Sequence, residues 1–121
     1  MSIPSSNDRP AVIAAVDLEA HRLVRIDATG KAVLTLENET PHGVTLDRAA
    51  TGQAVAIVPW TLAAMFVAVA AEAVPVGANI YTDALGQMKD TPPATGPIVR
   101  GIALSAAAGA GDQFSVLKTE I

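Results

Sequence analysis

The side chains able to do chemistry are few, and their spacing argues against most of it. His21 and His42 stand 21 residues apart, with neither the HxH nor the HExxH spacing that would bring two imidazoles to one metal. The serines fall at Ser2, Ser5, Ser6, Ser105 and Ser115, none inside a Gly-x-Ser-x-Gly elbow. Asp27 and Asp83 hold equivalent places in two similar turns, which would permit a paired-carboxylate acid–base site. Aspartate opening a turn is the commoner use of that position. Ala108-Gly109-Ala110-Gly111-Asp112 has the glycine content of a phosphate loop but no following helix to aim amides at a phosphate. There is no cysteine, so disulfides, thiolate catalysis and cysteine-based metal sites are excluded. The expectation is no catalytic residue, no cofactor and no metal site.

The elements that must position these residues are short strands. Ala11–Val16 is an apolar run, and Arg22–Asp27 alternates with Val24 and Ile26 on one face. Asp27-Ala-Thr-Gly30 supplies a turn starter and a glycine suited to positive φ, the chemistry of a type I turn with a bulge. Lys31–Leu36 returns. Gly43–Leu46 and Gln53–Val58 are further strands, separated by an Asp47–Gly52 loop with room for one helical turn. Pro59, lacking the N–H a ladder needs, should end the second of them. Thr61–Val74 is ambiguous. Its alanines fit a helix, whereas Met65-Phe-Val-Ala-Val69 is β-prone, and a strand over Ala64–Ala70 is expected. Asn79–Thr82, Gln87–Lys89, Ile98–Leu104 and Gln113–Lys118 complete the set, with Thr91–Pro97 a stiff proline loop.

The chain repeats itself. Asp27-Ala-Thr-Gly-Lys31 returns as Asp83-Ala-Leu-Gly-Gln87 at an offset of 56 residues, and Gly43-Val-Thr-Leu46 returns as Gly101-Ile-Ala-Leu104 at 58. The following glycines, Gly52 and Gly111, are 59 apart. Such slow drift reads as duplication with small loop changes. The expected fold is all-β: a small single-domain barrel or sandwich over residues 11–121, built from two similar β units near 21–58 and 77–118.

Bulk properties narrow the function. A chain of 121 residues makes one domain burying roughly two thirds of its unfolded surface. Half the residues are apolar, but the aromatics are only Trp60, Phe66, Tyr81 and Phe114, so the core is thin and rich in alanine and valine. Association with copies or partners would extend it. The net charge of −4 and the lack of a basic patch exclude a nucleic-acid partner. The longest apolar run, Leu62–Ala71, is half the ~20 residues a bilayer span needs, so no membrane is expected. Residues 1–10 lack the charged and apolar regions of a signal peptide. With Pro4, Pro10 and a polar cluster they read as an extended arm, either frayed or ordered on a partner surface. Trp60 is either an interface anchor or core packing.

These phrases, in this order, resemble one family. An alternating strand and an Asp-Ala-x-Gly-Lys turn precede Gly43-Val-Thr-Leu-Asp-x-Ala-Ala-x-Gly-Gln53 and an apolar strand. Then come Val74-Pro-Val-Gly-Ala-x-Ile-Tyr-x-Asp-x-x-Gly86, Gly101-Ile-Ala-Leu-x-Ala-Ala107 and Gly111-Asp-x-Phe-x-Val-Leu117. Over Ala11–Lys118 the chain is similar to the small capsid decoration, or cement, proteins of tailed bacteriophages and prophages. The Trp60 segment and the Thr91–Pro97 loop depart from the pattern.

The resemblance implies a non-enzymatic virion protein on the outer capsid surface, made in the host cytoplasm. It would bind the expanded head as a trimer or other small homo-oligomer and stabilise contacts between major capsid protein subunits. Position and chemistry nominate Ile3, Pro4, Ser5, Ser6, Asn7, Asp8 and Arg9 as capsid contacts, and Trp60, Pro92, Pro93 and Pro97 as subunit contacts. The alternative is a β-sandwich module that binds a ligand such as carbohydrate, a function that usually needs more exposed aromatics than this chain has.

Overall fold

The strands form where valine, isoleucine and alternating patterns outweigh the alanines, and they are short because glycine, proline and polar turns interrupt them every few residues. The computed structural model describes residues 11–119, so the arm over residues 1–10 lies outside the described residues. The strands are β1 (Ala11–Ile13), β2 (Leu23–Ile26), β3 (Ala32–Leu34), β4 (Gly43–Thr45), β5 (Ala54–Pro59), β6 (Met65–Val69), β7 (Asn79–Thr82), β8 (Met88–Lys89), β9 (Gly101–Ala103) and β10 (Gln113–Lys118). Each lies in or across a stretch expected to be strand. The ambiguous segment becomes β6 because it pairs along its whole length with β10, from Met65 opposite Leu117 to Val69 opposite Gln113. β5 ends at Pro59, which is its last residue. Asp47–Gly52 holds no helical turn. Reciprocal main-chain bonds of 2.8 and 2.9 Å tie Ala49 to Leu18 there, and the Thr51 N–H donates to Asp17 at 2.8 Å. Helical geometry among the described residues is confined to 3₁₀ turns at Trp60–Leu62 and Ala84–Gly86.

The two sheets have one topology. The first runs β1-β5-β4-β2-β3 and the second β6-β10-β9-β7-β8, every pairing antiparallel. Each curls until its outer strands meet at one end. The Ala15 N–H donates to Ala32 O at 2.9 Å in the first, and the Ala71 N–H to Met88 O at 2.9 Å in the second. The correspondence extends to the glycines that open β4 and β9. A β-carbon on Gly43 would lie 2.8 Å from Val58 O, and one on Gly101 2.6 Å from Leu117 O. Only glycine lets the neighbouring strand approach so closely. This gives a small β-barrel or sandwich architecture made of two similar β units.

The interiors correspond as well. Ala14, Leu18, Val24, Ala32, Ala49 and Val55 are packed together in the first unit. Their counterparts Ala70, Val74, Ile80, Met88, Ala107 and Phe114 belong to a larger cluster that also takes in Leu23, Val44, Trp60 and Ala68. Met88 and Phe114 stand where the first unit has Ala32 and Val55, so the second interior is filled by larger side chains. The Trp60 ring meets Phe66 edge-on at 5.3 Å inside the larger cluster, to which Leu23 and Val44 of the first unit also belong.

Candidate functional site

The residues that might have done chemistry are committed to structure. Asp27 Oδ1 accepts from the Thr29 N–H at 2.9 Å, the Thr29 hydroxyl at 2.6 Å and the Lys31 N–H at 3.0 Å. These bonds, the Thr29 hydroxyl foremost, hold its carboxyl below the usual aspartate value. Asp83 does not copy this arrangement; it faces Lys89 Nζ at 3.4 Å. The two turns themselves differ. Gly30 donates back to Asp27 O at 3.0 Å, whereas the Gly86 N–H reaches Thr35 O of the first unit at 3.3 Å. Asp112 Oδ2 takes the amides of Ala108 and Gly109 at 3.1 and 3.2 Å, so the glycine-rich loop already satisfies its N–H groups. His42 Nδ1 accepts the Ile26 N–H at 2.8 Å, and His21 sits in a turn at φ 64°. Among the described residues no group of three His, Cys, Asp or Glu could hold a metal.

The polar groups of the second turn and the proline loop instead lock the units together. Lys89, in the second unit, contacts Glu37 of the first as well as Asp83. The Glu37 carboxylate, more than any other neighbour, raises the Lys89 pKa above its ordinary value. Asn38, at φ 62°, donates from Nδ2 to Thr95 O and Gly96 O at 3.2 and 2.9 Å and accepts the Ile98 N–H at 3.3 Å. The Thr91–Pro97 loop is thus pinned across the unit boundary. The buried Arg100 reaches Thr40 Oγ1 at 3.1 Å on the same side.

The nominated contact residues divide. Pro92 and Pro97 are exposed on the pinned loop, but Pro93 is buried. Trp60 is 7% exposed, with Phe66 on its edge and Lys118 Nζ 4.8 Å over its ring, so its ring packs in the core. Both were nominated from residue type. Their burial comes from strand pairing that local sequence does not display. Ile3, Pro4, Ser5, Ser6, Asn7, Asp8 and Arg9 lie outside the described residues.

Surface apolarity gathers instead around β6. Leu62 is 72% exposed and Met65 67%. One groove of about 230 Å³ is lined by His21, Val44, Leu46, Val58, Leu62 and Met65, among others. A second, of about 420 Å³, lies beside Met65, Phe66, Val67 and Leu104. The sequence reading missed this surface. The available signal was that Leu62-Ala-Ala-Met65 carries two large apolar residues next to a strand start, with no polar residue between them.

The main-chain geometry of β6 is specific. The Lys118 N–H donates to Ala64 O at 2.9 Å and the Ala70 N–H to Asp112 O at 2.8 Å. Antiparallel alternation then turns Ala64, Phe66, Ala68 and Ala70 towards β10, and the N–H and C=O groups of Met65 and Val67 the other way. No described strand pairs with them on that side.

The family model for phage cement protein matches residues 11–118. In fold the chain is similar to the head fiber gp8.5 N base of bacteriophage phi29, with a TM-score of 0.73 at 20% identity, covering 90% of this chain and 91% of that one. No curated protein matches the chain. With so few identical residues, the likeness to the phi29 protein speaks for the fold alone. The family match runs from β1 to the end of β10, through both units and every turn between them, and on it the chain belongs to the phage cement proteins.

Proposed function

We propose that this chain is a capsid decoration protein that binds the outer surface of the expanded head of a tailed phage. There it bridges neighbouring major capsid protein subunits and stiffens the shell without catalysing a reaction. The observation carrying this reading is the family match across both β units. A body clamped by the Lys89 contacts and the Asn38 bonds suits a part that must transmit load between subunits. An acidic balance of −4 suits a position outside the shell, away from packaged DNA. Ile3–Arg9 supply the capsid contacts, with Pro92 and Pro97 on the pinned loop as further contact residues. Copies associate as a trimer or other small homo-oligomer, for which exposed Leu36, Val76, Leu85 and Leu104 offer apolar surface. Synthesis is in the host cytoplasm and residence is on the virion.

The test is electron microscopy of expanded heads mixed with the purified protein. Regular added density on the outer surface, lost when residues 1–10 are deleted, is the expected result. Bare heads at saturating protein concentration would overturn the decoration reading; decoration that survives the deletion would overturn the arm's part in it.

A further inference from the structure

The repeat leaves one internal contact half used. The turn at Ala84–Gly86 in the second unit rests on β2 and β3 of the first. A β-carbon on Gly86 would lie 2.5 Å from Leu23 O and 3.1 Å from Leu34 Cδ2, and the Gly86 N–H donates to Thr35 O at 3.3 Å. Arg22 Nη1 donates to Leu85 O at 3.4 Å beside it. Leu23 and Thr35 are fully buried there.

Each partner has a counterpart at the 56-residue offset, and the counterparts do not meet. Gly30 stands for Gly86, and a β-carbon on it would find nothing within 4 Å. Asn79, Asp90 and Thr91 stand for Leu23, Leu34 and Thr35. Asn79 and Thr91 are exposed and Asp90 is half-buried. The second turn thus sits on the first unit, but the first turn does not sit on the second. A one-way contact between two similar bodies leaves one turn and one receiving face unused. Copies that join through such surfaces follow one another head to tail, and close into a ring when the rotation allows.

Charge on the two free surfaces is complementary. Lys31 follows Gly30, is exposed, and makes no salt bridge among the described residues. Next to the receiving face, Glu72 and Asp90 share a hydrogen bond that holds the Glu72 carboxyl above its ordinary value. Neither acid makes a salt bridge among the described residues. Lys89, the cation that acts on Glu72, is committed to Glu37 and Asp83. A second ammonium arriving from outside would meet two crowded carboxyls.

We propose that the Asp27–Lys31 turn of one copy seats on Asn79, Asp90 and Thr91 of the next, with Lys31 against the Glu72–Asp90 pair, so that copies join head to tail by an approximate repeat of the contact that joins the two units within a chain. The Gly30 N–H is already held by Asp27 O, so side chains and the turn surface carry the contact between copies. This deepens the homo-oligomer reading, and rests on it, by naming the two surfaces that meet.

The absence of cysteine makes a clean test. In the full chain at micromolar concentration, Thr29→Cys/Asn79→Cys treated with a short bis-maleimide should give a ladder of cross-linked multimers. Each single variant should stay at monomer mass. A link within one chain, or multimers from a single variant as readily as from the double, would overturn the head-to-tail contact. As a second readout, Lys31→Glu should weaken association in sedimentation about tenfold, and Lys31→Glu/Asp90→Lys should recover most of it. No weakening, or no recovery, counts against the contact. An oligomer by sedimentation that shows neither the ladder nor the charge dependence leaves the association reading standing and removes these surfaces from it. A monomer at every concentration removes both.

Discussion

The α-carbon of Gly86 faces the carbonyl oxygen of Leu23 so closely that a β-carbon would lie 2.5 Å from it. Its counterpart in the first turn, Gly30, has nothing within 4 Å. Both have positive φ, 68° and 82°. Gly30→Ala should therefore cost about 1 kcal/mol, from backbone conformation alone. Gly86→Ala adds a clash with main chain that cannot swing away, and should cost about 3 kcal/mol. Urea midpoints of the two variants measure the difference; equal losses would mean that the second turn does not bear on the first unit.

Thr35 is fully buried, and its hydroxyl has no hydrogen-bond partner among the described residues. Its main chain is engaged, accepting from Gly86 and donating to Leu23 O at 3.2 Å. Replacing the hydroxyl with a methyl keeps the shape and removes a desolvated polar group. Thr35→Val should stabilise the fold by about 1 kcal/mol, read as a rise in the thermal midpoint.

Trp60 is the chain's single tryptophan, so its emission reports one environment. Buried against Phe66, it should emit at short wavelength and resist quenching by acrylamide. Trp60→Ala should cost about 3–5 kcal/mol by leaving a cavity where the two units meet. Trp60→Phe should lose much less, since a ring remains against Phe66.

Among the described residues four titrations bear on the pH response, with different signs. Asp17, held by the Thr51 N–H first and its hydroxyl second, and Asp27 both lie below the ordinary 3.8. They stabilise the fold above that value, and the contribution is lost as pH falls through their lower folded values. Lys89 is raised, so its contribution is complete below 10.5 and is lost as pH climbs through its folded value. Glu72 is raised too, chiefly by a hydrogen bond shared with Asp90, so its ionisation opposes folding and acid relieves it. Urea midpoints over a pH series should show Asp27→Asn weaker than the parent near neutrality and converging with it in acid. Lys89→Met should converge only in strong alkali. Glu72→Gln should be the more stable chain at neutral pH and lose that advantage in acid.

The strands were legible because glycine and proline mark their ends and alternation marks their faces. Val24 and Ile26 share a face in the sequence, and Val24 is buried in the structure. The repeat was legible because turns and close-approach glycines tolerate little change, as Gly43 and Gly101 illustrate. Its full reach, back to β1 and β6, was not, because those strands are short runs of small apolar residues whose correspondence shows through their pairing. Trp60 was left between contact and core because a tryptophan after a proline looks the same at a surface as in a core until β6 supplies Phe66. The β6 edge was invisible for a related reason: an unpaired edge is defined by a strand that is missing, which no local pattern records.

No strand of one sheet pairs with a strand of the other among the described residues. Every partner in the first sheet lies between Ala11 and Pro59. The first half of the chain therefore holds every strand pairing of its own sheet, and none of those pairings waits for the second half to be made. Leu23 and Val44 would then wait as an uncovered flank, and the arriving second half would assemble against a finished wall.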